Sequence, residues 1–178
     1  MDFLCLDFIN SRWYITHKPF HDPLDSRDWL EKISTRYSLP EICLVKNIGE
    51  LKTFRELLFH ALLELCIECK IQGIYIQKVN DILANGHVQS VLIPKGGGYC
   101  LQVQHHCDDL TWVMYQIALS FSELITEYPI DNLKKCGNPD CDWIFYDDSK
   151  SHTRKWCDNR CASLMKVRKF RAKGAEKK

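Results

Sequence analysis

The chain reads as an α+β protein. A mainly helical N-terminal domain with one β-hairpin occupies residues 1–133, and a small cysteine-bearing module occupies residues 134–178. Three observations predict this. Apolar residues recur at helical spacing in several runs before residue 133. That period gives way once to strand-like segments, on either side of Gly96-Gly97-Gly98. Two close cysteine pairs, Cys136/Cys141 and Cys157/Cys161, frame the last segment.

In chain order, Phe3-Leu4-Cys5-Leu6-Asp7-Phe8-Ile9-Asn10 is apolar with two polar interruptions, too short for its period to type. Thr16 to Pro23 holds Pro19, Pro23, His17 and His21 and reads as a loop. Asp25 or Ser26 can cap a helix through Arg36 that buries Trp29, Leu30 and Ile33, with Ser38-Leu39-Pro40 as its end. Asn47 caps the longest predicted helix, 47–72. Its Leu51, Phe54, Leu58, Ala61, Leu62 and Leu65 make a wide apolar face that suits a central position. Gly73 is placed to close it. A shorter helix, Tyr75–Ala84, stops at Asn85-Gly86. Val88–Ile93 and Tyr99–Gln104 then flank Pro94–Gly98 as a hairpin. Asp108 opens a helix through Tyr128, Pro129 stops it, and Asp131–Lys135 connects to the C-terminal module.

Hydrophobic residues make up 46% of the 178, ample for a core in the first part of the chain. The C-terminal module is too small to build one unaided, and a metal would supply what it lacks. Ten cysteines without a recognisable secretory signal point to thiols in a reducing, cytoplasmic setting. No apolar run reaches membrane-spanning length, so no membrane partner is expected. Charge is segregated. Residues 1–133 carry 11 Lys+Arg against 17 Asp+Glu, or −6, and residues 134–178 carry 13 against 6, or +7. Such asymmetry suggests a polyanion partner for the C-terminal part alone.

The cysteines read Cys136-x4-Cys141-x15-Cys157-x3-Cys161. One zinc ion takes four such ligands tetrahedrally, and two close pairs supply them at little cost in chain entropy. Gly137, Asn138 and Pro139 suit a tight turn that bends the first two sulfurs to one point. Cys157 precedes a helical run and Cys161 lies one turn on, so both share a face. Knuckle, short hairpin and ligand-bearing helix give a treble-clef-like module with one structural zinc. Four ordinary cysteines or two disulfides are the competing assignments.

On the last helix Lys166, Lys169 and Lys173 fall within about 60° of arc. Leu164, Val167 and Phe170 form a separate face suited to packing on Trp143, Phe145 or Trp156, with Arg168 and Arg171 nearer the metal. Lys150, Arg154, Lys155 and Arg160 add charge from the preceding loop. Lysines on one stripe neutralise phosphates, and arginines can also fork onto guanine edges. Asp7 and Asn10, polar in an apolar setting, need partners or face a ligand pocket; Arg12, Arg27 and Arg55 are candidate partners. Cys66-x2-Cys69 lies within a predicted helix, away from the N-terminal dipole that activates redox thiols. His105-His106-Cys107 reads as a loop. No catalytic triad, phosphate-cradling glycine loop or open metal position is visible, so no enzymatic activity is expected.

Cys136-Gly-Asn-Pro-Asp-Cys141-Asp-Trp-Ile-Phe-Tyr-Asp147, followed by Arg154-Lys-Trp156-Cys157, resembles the CGNR zinc finger. Leu4-Cys-Leu-Asp7-Phe-Ile-Asn10, with the order of elements after it, resembles the ABATE domain usually found before that finger. Where the family's naming run is Cys-Gly-Asn-Arg, this chain has Cys161-Ala162-Ser163-Leu164; the pattern resumes at Lys166-Val-Arg168-Lys169-Phe170-Arg171. The resemblance implies a stress-induced bacterial transcription regulator that binds double-stranded DNA through the finger. Its N-terminal domain would sense a small-molecule effector or form a homodimer. A protein-interaction adaptor or an RNA-binding module is the alternative.

Overall fold

The computed structural model describes residues 2–39 and 47–175, and it is the mixed helix-and-sheet architecture predicted, with two small hairpins. The helices are α1 (Leu4–Asn10), α2 (Trp13–Thr16), α3 (Arg27–Tyr37), α4 (Ile48–Glu68), α5 (Gly73–Ala84), α6 (Asp109–Glu127) and α7 (Asn159–Ala175). The strands are β1 (Val88–Lys95), β2 (Gly98–His105), β3 (Leu133–Lys135) and β4 (Ile144–Tyr146), with short 3-10 turns at Pro23–Asp25 and Ile130–Asn132.

The stretch whose period typed nothing is α1. Its side chains are apolar nearly all round, and all but Asp7 are buried. A helix of that kind is stable only when surrounded, and α1 lies against α4 and α6. α4 is central as expected, burying Leu51, Phe54, Leu58, Phe59, Ala61, Leu62 and Leu65. It ends earlier than the sequence suggests. Cys69 adopts the left-handed conformation (φ +53) and donates its N–H to Leu65 O at 3.0 Å, while Gly73 opens α5 instead of closing α4. Ser38 (φ +53) similarly ends α3, and Pro40 lies outside the described residues.

Gly96 and Gly97 both have positive φ, +58 and +82, which makes a two-residue turn of the type that matches strand twist. The strands therefore run on to Lys95 and Gly98, past the expected tip. Asp108 caps α6, accepting from Thr111 N at 3.0 Å.

One buried cation holds the N-terminal loop onto this core. Arg55 donates to both carboxylate oxygens of Asp22, at 2.6 and 2.7 Å, and to Ser11 Oγ at 3.0 Å. Asp22 in turn caps the turn at Leu24 N, 3.0 Å away. Burial raises the Asp22 pKa, but the hydrogen bonds and charge of Arg55 outweigh it and hold the carboxyl below its usual range.

β3 and β4 pair antiparallel, with Leu133 opposite Tyr146 and Lys135 opposite Ile144. Leu133 and Ile144 are buried in the same cluster as Leu58 and Phe121. Tyr146 sits edge-on to Phe3 and Tyr128, with ring centroids 5.6 and 5.7 Å away. The C-terminal hairpin is thus seated on the helical body. Among the described residues, no helix is long and apolar enough to cross a membrane.

Candidate metal centre

The turn between β3 and β4 is the knuckle. Cys136 N–H donates to Trp143 O at 2.8 Å, Cys141 N–H to Asn138 O at 2.9 Å, and Gly137 N–H to Lys155 O at 2.8 Å. A Cβ at position 137 would stand 3.0 Å from Lys155 O, so the close approach of the second loop favours glycine. Asp158 Oδ1 accepts from Cys161 N at 2.8 Å, capping α7 and fixing Cys157 and Cys161 one turn apart.

These restraints bring the sulfurs of Cys136, Cys141, Cys157 and Cys161 within 4.8 Å of one another. Cys141 and Cys157 are 3.8 Å apart, and Cys157 and Cys161 3.7 Å. Zinc bonded tetrahedrally at about 2.3 Å sets its sulfurs about 3.8 Å apart. A disulfide would need about 2.05 Å. The thiols also cannot ionise together unaided. Cys141 is drawn down to about 5, first by the hydrogen bond from Cys157. Cys157 is pushed up by that bond and by burial, and Cys161 is pushed up to about 11 by burial. A dication removes this conflict, because all four thiolates then face a positive centre. Cys157 N and Asn138 Nδ2 lie 3.5 Å from the sulfurs of Cys136 and Cys161, the outer-shell donors thiolates need. The residues fit one structural zinc.

Residues 132–174 match the family model of the CGNR zinc finger. No curated protein matches the chain.

In this finger the loop from β4 to α7 is organised by Asp147, whose role spacing did not reveal. Its fully buried carboxylate accepts from Lys134 Nζ (2.7 Å), Arg154 N (2.9 Å) and Ser149 Oγ (2.6 Å). Burial raises its pKa, and these donors more than reverse that, leaving it well below the carboxylate range. An acid directly after the Ile144-Phe145-Tyr146 strand was the available signal.

The structure divides the predicted nucleic-acid residues into two groups. Arg154 donates to the carbonyl oxygens of Trp156 and Cys157 and covers Phe145, 4.9 Å from its ring centre. Arg160 pairs with Asp158 at 2.8 Å. Arg168 bonds Asp140 and, at 3.3 Å, Asn138, bracing the knuckle against α7. By contrast Lys150, Lys155, Lys166, Lys169, Arg171 and Lys173 are exposed, and no salt bridge to them is found among the described residues.

The expected packing of Leu164, Val167 and Phe170 does not occur. All three are exposed, Phe170 by 80%. Two of the three rings proposed to receive them are occupied: Trp143 meets Trp13 and Tyr14 edge-on, and Phe145 lies under Arg154. α7 therefore projects from the body, held at its first turns. Tyr14, Trp13, His17, Trp143 and Leu164 border a cleft of about 540 Å³ beside the cysteines.

Asn10 is where body and finger meet. Its side-chain amide donates to Ile144 O at 2.7 Å and accepts from Ile144 N at 3.0 Å, extending β4 by one side chain. Asp7 accepts from Tyr37 Oη at 2.7 Å and pairs with Arg36 at 2.9 Å. The candidate partners lie elsewhere: Arg12 on Glu56, Arg27 on Glu31, Arg55 on Asp22. Asn10→Ala should cost about 2–4 kcal/mol, since it orphans two buried backbone groups. Urea unfolding checks this, with zinc content expected to stay at one per chain.

His105 stacks on Trp112 with centroids 4.2 Å apart, a packing role at the base of β2. Cys66 lies within α4 with its thiol pushed up to about 12 by burial, and Cys69 is the left-handed residue at the helix end.

Proposed function

We propose that the protein is a zinc-containing DNA-binding regulator that holds duplex phosphates with α7 and the adjoining loop. One observation carries this reading: a projecting helix whose Lys166, Lys169 and Lys173 form an exposed stripe, fixed at its root by the metal cluster. Lys150, Lys155 and Arg171 extend the positive surface. A protein neutralising several phosphates needs this arrangement of solvated cations on a rigid element.

Zinc with four protein ligands has no open position for water, so its role in this reading is structural and no catalysis is assigned to it. The −6 balance of residues 1–133 makes that part a poor phosphate surface and suits it to sensing an effector or to dimerisation. The regulatory role rests on the ABATE-like N-terminal motif.

An RNA reading would stack bases on Trp143, Tyr146 or Trp156, and two of these three rings already have aromatic neighbours. Tyr146 is engaged with Phe3 and Tyr128, and Trp143 with Trp13 and Tyr14. Single-stranded recognition relies on rings that bases can reach.

The test is binding of the intact, zinc-loaded protein to unrelated duplexes and to single strands of the same length. Lys169→Ala should weaken duplex binding by a similar factor for every sequence. Arg171→Ala should cost about 1–3 kcal/mol at one preferred base if it reaches a guanine edge. Preference for single strands would turn the reading to RNA. No binding to either, with capture of an acidic protein, would turn it to an adaptor.

A further inference from the structure

The β1–β2 hairpin presents its apolar face outward. In the register Leu92 lies opposite Leu101, Pro94 opposite Tyr99 and Ser90 opposite Val103. Paired residues share a face. On that face Leu92 is 65% exposed, Tyr99 76%, Leu101 70% and Val103 56%. The opposite face carries Gln89, Gln102 and Gln104, and its Val91, Ile93 and Cys100 are half-buried. An antiparallel sheet ordinarily buries its apolar face and wets the other. Here Gln89, Gln102 and Gln104 are exposed as well, and the more apolar face is the one left open to water. The sheet also has only two strands, a size that is marginal in water without something packed on it.

We infer that this face is covered by the same face of a second copy of the chain. Two features select that occupant. The face has no charged side chain, so it asks for a partner that is itself neutral and apolar, and an identical hairpin supplies one through a two-fold axis. The bare apolar area is on the order of 500 Å², at the upper end of what monomers leave open. Doubled, it is on the order of 1,000 Å², the size at which specific interfaces begin. The two sheets would stack about 10 Å apart with their strands nearly aligned.

This surface does not depend on the nucleic-acid reading, since it lies on β1 and β2, apart from α7. Its consequence for that reading is two basic helices per assembly, the arrangement by which a small finger gains affinity.

The test is the mass of the full, zinc-loaded chain by sedimentation and light scattering at micromolar concentrations. The expected mass is twice the 20.9 kDa of one chain. Leu101→Arg should weaken self-association at least tenfold, and Leu92→Gln should weaken it without adding charge. Gln102→Arg, on the opposite face, should leave it unchanged. Helical circular dichroism and one zinc per chain establish that each variant is folded. A wild-type mass of 20.9 kDa would overturn the proposal and give the face to another protein. A dimer indifferent to both leucine substitutions would overturn it too, by placing the interface elsewhere.

Discussion

Removing the metal from the intact protein is expected to unwind α7 and leave the helical body folded. α7 is 17 residues long, and none of its described residues is buried. Isolated helices of that length are marginal in water, so packing cannot be what keeps it helical. What holds it is at its root: Cys161 in the cluster, the Asp158 cap, and the brace from Arg168 to the knuckle. Structural zinc in small fingers binds with about 10–16 kcal/mol of apparent free energy, far more than the cap and the brace together. A strong chelator, or Cys141→Ser, should therefore abolish amide protection in α7 and in the loop from Asp147 to Trp156. α1, α4 and α6 should keep theirs, because their core is apolar and lies outside the finger. The ends of the finger hairpin should resist longest, with Ile144 clamped by Asn10. Unchanged protection of α7 in a metal-free protein would remove zinc from its structural role.

The second large effect concerns Arg55 and Asp22. Asp22→Ala leaves a guanidinium buried without its bidentate partner, and a loss of about 3–5 kcal/mol is expected. The pH dependence gives a sharper check. The folded Asp22 pKa lies below its unfolded value. Its stabilisation is therefore complete above the unfolded value, about 3.9, and is lost as pH falls through the folded one. The stability gap between wild type and Asp22→Ala should be constant near neutrality and close in acid. A gap that widens on acidification would contradict the assignment. Arg55→Met, which removes the charge but keeps volume, should cost less if Asp22 is also replaced, a coupling that a double-mutant cycle measures.

Much of this was legible in the sequence because it is local. The periods of α4 and α6, the cap at Asp108, the Gly-Gly turn and the four-cysteine spacing each depend on residues close in the chain. What was hidden depends on contacts between distant segments. α1 is helical because α4 and α6 surround it, which seven residues cannot announce. Cys69 ends α4 in a conformation expected of glycine. Arg154 read as a phosphate ligand and Arg168 as a reader of base edges, but a carbonyl pair and an aspartate 28 positions away engage them. The apolar stripe of α7 was expected to pack, yet Trp143 and Phe145 already had partners contributed by Trp13 and Arg154. Asn10 illustrates the same limit: its setting told that it needed partners, and only the fold could name Ile144, 134 positions on.

The proposal that α7 and its loop neutralise duplex phosphates is tested most directly by a salt titration. Affinity of the intact, zinc-loaded protein for duplex DNA is measured across ionic strength, with Lys169→Ala alongside. If about four to six phosphates are neutralised, log affinity should fall against log salt with a slope near −4 to −5. Lys169→Ala should make that slope shallower by about one. A flat salt dependence in both proteins would contradict phosphate binding by this helix.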